Sequence, residues 1–94
     1  MTAPQVLIPW DREEAIGVAE AAHQARKSQG TIRGWARDHH IGRRIAGGAW
    51  MISHPALMML LNGDDEALSA YLAGERRNPP VRRYFDRLGI IPPA

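Results

Sequence analysis

Five stretches of the chain repeat apolar residues at helical spacing, and between the second and third lie two short apolar runs joined by a glycine pair. Ile16, Ala19, Ala22 and Ala25 form a small-residue stripe. The spacing predicts a first helix opening at Asp11, with Glu14 at the capping-box position, and ending near Arg26–Lys27. Gly17 lies inside this segment and could loosen or split it. Ser28 is the next N-cap candidate. Ile32, Trp35, Ala36 and His39 then fall at i, i+3, i+4 and i+7, one face of a helix ending around His39–His40. Gln29, Arg33 and Arg37 repeat every fourth residue on a different face. Ser53 with Pro55 opens a third helix with a Leu57, Leu60, Leu61 stripe, ended by Asn62-Gly63. Asp64-Asp65-Glu66 starts a fourth, since acids favour the positive end of the helix dipole; Leu68, Tyr71 and Leu72 are its core positions and Gly74 its end. Asn78-Pro79 opens a fifth, with Val81, Tyr84, Phe85 and Leu88 inward, Arg82, Arg83 and Arg87 outward, and Gly89 closing it.

Ile41 to Ile52 reads differently. Gly47-Gly48 separates two short apolar runs, and glycine adopts the positive φ of tight hairpin turns, so a β-hairpin is expected. Either Ile45 and Ile52, or Trp50 and Ile52, would face the core. Residues 1–10, with Pro4 and Pro9, read as an extended arm packing through Val6, Ile8 or Trp10; Ile90 to Ala94 reads as a short extended tail. The expected fold is mainly α with a small β-hairpin wing: a winged helix-turn-helix with additional C-terminal helices. It divides into an arm (1–10), a winged helix-turn-helix unit (11–62) and a helical extension with a Pro-containing tail (63–94).

Length and composition narrow what such a fold can do. At 94 residues and 45% hydrophobic, the chain suits one compact domain with a modest core, too small for a scaffold plus a deep catalytic cleft. It has no cysteine, so no disulfide or thiolate metal site is available. No apolar run approaches the ~20 residues of a membrane-spanning helix, and the N-terminus lacks the basic start of a secretory signal. A soluble, cytoplasmic protein is expected.

Charge gives the second helix its interest. Between Arg26 and Arg44 stand six cations and one anion, a surplus of five, whereas the remainder carries six cations and nine anions, a deficit of three. One concentrated basic segment on an otherwise acidic body creates an electrostatic face suited to nucleic acid. Arg33 and Arg37 project from the polar side of the second helix, and arginine pairs bidentately with guanine in the major groove; Gln29 could read adenine. Ser28, Thr31 and the first-turn N–H groups could hold a phosphate, as could Arg26, Lys27 and His40. Gly30 and Gly34 would let the helix approach closely, or simply weaken it. Arg43 and Arg44 are consecutive on a strand and point to opposite sides, so at most one of them should face DNA directly unless the strand end twists, with Gly47 and Gly48 at the hairpin tip.

Three segments together resemble a family. Ser28-x-x-Thr31-Ile32-Arg33-x-Trp35, Ile41-Gly42-Arg43-Arg44 and Gly47-Gly48-x-Trp50-x-Ile52-Ser53-x-x-Ala56-Leu57, preceded by Val18-x-Glu20-Ala21-Ala22, look like excisionases, the recombination directionality factors whose winged helix is related to the MerR superfamily. The likeness spans residues 18–61 and is nearest to the factors of rhizobial and other proteobacterial integrative and conjugative elements. It implies binding of several copies to attachment-site DNA, an integrase as partner, promotion of excision of a mobile element, and regulation of transfer genes. By position it implies DNA contacts at Ser28, Gln29, Thr31, Arg33 and Arg37, with Arg43, Arg44 and the Gly47-Gly48 tip as the wing. His39-His40 departs from the pattern at the helix end. A small winged-helix transcriptional regulator acting at a promoter is the other reading of the same residues.

Other chemistries find less support. His39 and His40 are adjacent, so they do not face each other on a helix, and His23 and His54 have no carboxylate or thiolate set beside them; no metal and no cofactor are expected. Asp64-Asp65-Glu66 reads as helix capping rather than catalysis, so no enzyme is expected. Trp35 and Trp50 read as core rather than as base-stacking platforms, and His39 as a core-edge residue. Apolar residues at both termini are candidates either for protomer–protomer contact on DNA or for packing on their own domain.

Overall fold

The computed structural model describes residues 3–91; the outermost residues of the expected arm and tail, Met1-Thr2 and Pro92-Pro93-Ala94, lie outside the described residues. The described residues form a small, mostly helical domain of five helices and a three-stranded antiparallel sheet, in the order β1 (Ala15–Gly17), α1 (Val18–Ala25), α2 (Gln29–Asp38), β2 (Gly42–Arg44), β3 (Trp50–Ser53), α3 (His54–Leu61), α4 (Asp65–Leu72) and α5 (Pro79–Leu88).

The first element differs from expectation. Asp11 opens no helix: its Oδ1 accepts the N–H of Glu13 at 2.9 Å and its carbonyl accepts that of Glu14 at 3.0 Å, closing a tight turn. The chain then runs extended as β1, pairing with β3 so that Ala15 faces Ser53, Ile16 faces Ile52 and Gly17 faces Met51. The hairpin alone would leave one edge of β3 unpaired, and β-branched Ile16 suits a strand covering it. Gly17, extended at φ −74° and ψ 165°, is where strand becomes helix. Of the expected stripe Ala22 is buried, while Ala19 is exposed because α1 begins later and turns Ala21 inward instead.

The expected hairpin is present as β2 and β3, with Gly42 opposite Ile52, Arg43 opposite Met51 and Arg44 opposite Trp50; the sheet order is β1-β3-β2. Its turn is offset by one residue. Gly48 N–H bonds the Ile45 carbonyl at 2.8 Å, and the two central residues, Ala46 and Gly47, take the positive φ (51° and 73°) of hairpin turns. Gly42 has a different task. A Cβ there would collide with the Met51 carbonyl and sit 2.8 Å from Ile52 Cδ1, so β2 can lie this close to β3 only without a side chain.

The helices follow their signals closely. Ser53 Oγ caps α3 through Ala56 N–H (3.2 Å), and Asp64 Oδ1 caps α4 through Ala67 N–H (3.1 Å). α3 presents Ala56, Leu57 and Met59 to the core, leaving Leu60 half-buried and Leu61 exposed; its inward face is rotated from the expected leucine stripe because α4 and α5 pack on two sides of it. Val81 and Phe85 bury α5 against them. A single core runs from Val6 and Leu7 through Ile32 and Ile52 to Phe85 and Ile90. The arm thus packs through Val6 and Leu7, while Ile8 and Trp10 (45% exposed) stay outside, and Ile90 belongs to its own domain.

A buried polar network ties arm, β1 and C-terminal helices together. Arg76, 7% exposed, stacks over the Tyr71 ring at 4.1 Å and donates to the carbonyls of Tyr71 (2.8 Å), Gln5 (2.6 Å) and Ile8 (3.2 Å). Its Nε lies 3.6 Å from Oε1 of fully buried Glu14, whose Oε2 accepts from the Tyr71 hydroxyl at 3.1 Å. Burial pushes the Glu14 carboxyl up from its ordinary range, with Arg76 and the Tyr71 hydroxyl pulling the other way. Glu14 is therefore an interior partner of Arg76 and Tyr71 and not a capping-box residue.

Candidate nucleic-acid interface

Three residues, Arg26, Lys27 and Ser28, connect α1 to α2. Arg26 takes the left-handed conformation (φ 56°, ψ 44°), which turns the chain sharply, and Lys27 N–H closes the end of α1 on the Ala22 carbonyl at 3.0 Å. Ser28 caps α2: its Oγ accepts Thr31 N–H at 3.1 Å and lies 3.0 Å from the Thr31 hydroxyl. Both hydroxyls are thus occupied in setting the start of the helix.

α2 divides as its periodicity predicts. Ile32 and Ala36 are buried and Trp35 half-buried against the core, while Gln29, Arg33 and Arg37 are exposed. Arg33 Nη2 donates to Gln29 Oε1 at 3.3 Å, and Arg37 Nε pairs with Asp38 at 3.3 Å. Both contacts are at the surface, where ion pairs are worth about 0–1 kcal/mol and yield readily to a stronger anion. Gly30 and Gly34 serve no internal need. A Cβ would meet only Ser28 Oγ at Gly30 and Arg37 Nη2 at Gly34, each at an ordinary 3.8 Å. Two glycines in a ten-residue helix cost about 1 kcal/mol each relative to alanine, and nothing within this domain requires them.

The hairpin lies beside this face. Arg33 of α2, Arg44, Gly48, Ala49, Trp50 and Met51 of the hairpin, and Gly17 and Val18 where β1 passes into α1 line one cleft of about 360 Å³. Arg44 spans the hairpin turn, with Nε donating to the Gly48 carbonyl and Nη2 to that of Gly47, both at 2.8 Å. Arg43 points the other way: it is half-buried and donates from Nη2 to the Leu7 carbonyl at 3.3 Å. Strand alternation therefore separates the two arginines as expected, with Arg44 on the cleft and Arg43 on the arm. Gly47 and Gly48 are exposed at the tip.

The remaining candidates lie around this face. Arg26 and Lys27 are exposed in the turn before α2. His40 is exposed at φ 58°, one residue past the α2 cap. His39 is exposed rather than at the core edge, because the helix ends at Asp38 and the ring has no further turn to pack beneath. His54 donates from Nε2 to Gln24 Oε1 at 2.8 Å, joining α3 to α1, and burial holds its imidazole below the ordinary 6.5 against the pull of Glu20. Among the described residues no three His, Asp or Glu side chains gather as metal ligands, and no helix is long and apolar enough to cross a membrane. Sequence reasoning missed Gly17 and Val18 in the cleft, because they reach it only through β1, a strand with no periodic signal of its own. No protein-family model matches the chain, and no curated protein or solved structure is significantly similar to it.

Proposed function

We propose that the chain binds duplex DNA as a winged helix-turn-helix protein, with α2 as the recognition helix and the β2–β3 hairpin as the wing. The observation that carries this is the exposed Gln29, Arg33 and Arg37 face of α2 beside a hairpin whose Arg44 shares a cleft with it. α2 is short, cationic outward and anchored inward by Ile32 and Ala36, the division a helix needs to lie in a major groove. The missing side chains at Gly30 and Gly34 favour close approach to a partner surface. Arg26, Lys27 and the Ser28 turn supply phosphate contacts, as does His40. Arg43 serves to hold the arm.

The resemblance to excisionases extends this to a biological role. The protein binds attachment-site DNA in several copies and steers a partner integrase toward excision of a mobile element. Arg33→Ala with Arg37→Ala should abolish site-specific binding in a gel-shift assay while leaving the melting temperature unchanged; unchanged affinity and site preference would remove α2 from the interface. Genome-wide footprinting tests the role. Clustered protection across an attachment site beside an integrase gene is the expected pattern, and protection confined to promoters would make the protein a transcriptional regulator.

A further inference from the structure

We infer that Arg33 and Arg44 grip one and the same DNA phosphate, in the cleft between α2 and the hairpin. This rests on the DNA-binding reading above and reassigns Arg33 from base reader to backbone clamp, leaving Gln29 and Arg37 to read bases. Arg33 and Arg44 come from different elements yet line one cleft of about 360 Å³, room enough for a phosphodiester group. The other lining residues, Gly17, Val18, Gly48, Ala49, Trp50 and Met51, bring no charge to compete for the cations or repel an anion. The lining at Gly17 is also open: a Cβ there would touch nothing within 4 Å.

Arg44 is already oriented for this. Its guanidinium is planar with five N–H donors, and the turn uses one from Nε and one from Nη2, so donors remain after the hairpin is braced. The same side chain that fixes the tip thereby presents a held charge to the cleft, and little rotamer entropy is lost on binding. Arg33 is tethered only to Gln29 at 3.3 Å, a bond that a phosphate replaces with a charge-assisted one. α1 begins at this cleft with Val18, and no side chain caps its first turn.

Salt dependence counts the phosphates. The logarithm of affinity falls against the logarithm of salt with a slope of about −0.9 per phosphate neutralised. Binding of a fluorescein-labelled mixed-sequence duplex is followed by anisotropy for wild type, Arg33→Met, Arg44→Met and the double variant. With one shared phosphate, each single variant keeps nearly the wild-type slope, because the other arginine still neutralises it, and the double variant loses about 0.9. Arg44→Lys in the Arg33→Met background, which keeps a charge in the cleft but not the fork across the turn, should restore the slope and so exclude hairpin collapse as the cause. Two separate phosphates would remove about 0.9 in each single variant and about 1.8 in the double, and an Arg33→Met slope at the wild-type value with equal losses in Arg44→Met and the double would mean Arg33 touches none. Either result overturns the clamp and leaves DNA binding standing; a wild-type chain that fails to bind the duplex overturns both.

Discussion

α2 and α5 are near twins by pattern. Each has ten residues, buries an apolar stripe and turns arginines outward: Arg33 and Arg37 on one, Arg82, Arg83 and Arg87 on the other. Their surroundings separate them. α5 is tied back into its own half, Tyr84 donating to Asp64 Oδ2 at 2.9 Å and accepting from Asn62 at 3.2 Å, and Arg82 is paired with Asp86 at 3.5 Å. It has no glycine in its length. α2 has two glycines, each with room for a Cβ at ordinary contact distance, and a hairpin alongside that contributes a second arginine to a shared cleft. Both arginine rows border a cleft, and what shares it differs: Arg83 and Arg87 line one of about 110 Å³ that also holds the carboxylate-bearing Asp64, whereas no acid lines the cleft of Arg33 and Arg44.

The C-terminal half does structural work, and Arg76 is where that should be most visible. Arg76→Ala leaves Glu14 buried without its charge partner, which costs about 3–5 kcal/mol; urea unfolding should show the loss, while DNA affinity of the folded fraction stays at the wild-type value. If affinity fell in step with stability, α5's half would belong to the interface. The next largest contrast is between glycines. Gly42→Ala forces a methyl against the Met51 carbonyl and Ile52, an overpacking of about 1–3 kcal/mol. Gly34→Ala has room, so it should raise stability by up to about 1 kcal/mol and yet weaken DNA binding. Equal or tighter binding by Gly34→Ala would mean that α2 does not approach its partner closely. Arg83→Ala with Arg87→Ala, removing the same number of charges from α5 as are removed from α2 by Arg33→Ala with Arg37→Ala, should shift affinity less than twofold in a gel shift.

The smallest effect concerns pH. The unfolded chain protonates His54 at its ordinary 6.5, while the folded imidazole, held lower by burial, resists protonation. The unfolded state therefore takes up more protons as pH falls through and below 6.5, and stability declines over that window. His54→Gln should flatten the decline in melting temperature; an unchanged pH profile would locate the titration elsewhere.

Local signals made much of this legible. Ser28, Ser53 and Asp64 cap helices where their side chains and the following apolar spacing say they should, and Gly74 and Gly89 end α4 and α5 with the positive φ that glycine permits. The outward row on α2 was legible for the same reason: helical faces follow from spacing alone. What was not legible depends on partners far along the chain. β1 is a strand because β3 has an edge to cover, some 35 residues on. Glu14 has the spacing of a capping residue, but Arg76 and Tyr71, which no local pattern connects to it, draw it inside. Arg43 and Arg44 differ in role because the arm lies on one side of β2 and the turn on the other.

Amide chemical-shift mapping of the isotope-labelled protein titrated with duplex DNA decides whether α2 and the hairpin carry the interface. Perturbations are expected across 26–37 and 44–50, with α5 at 79–88 unmoved. Perturbations centred on α5, or none at all at moderate salt, would contradict that assignment.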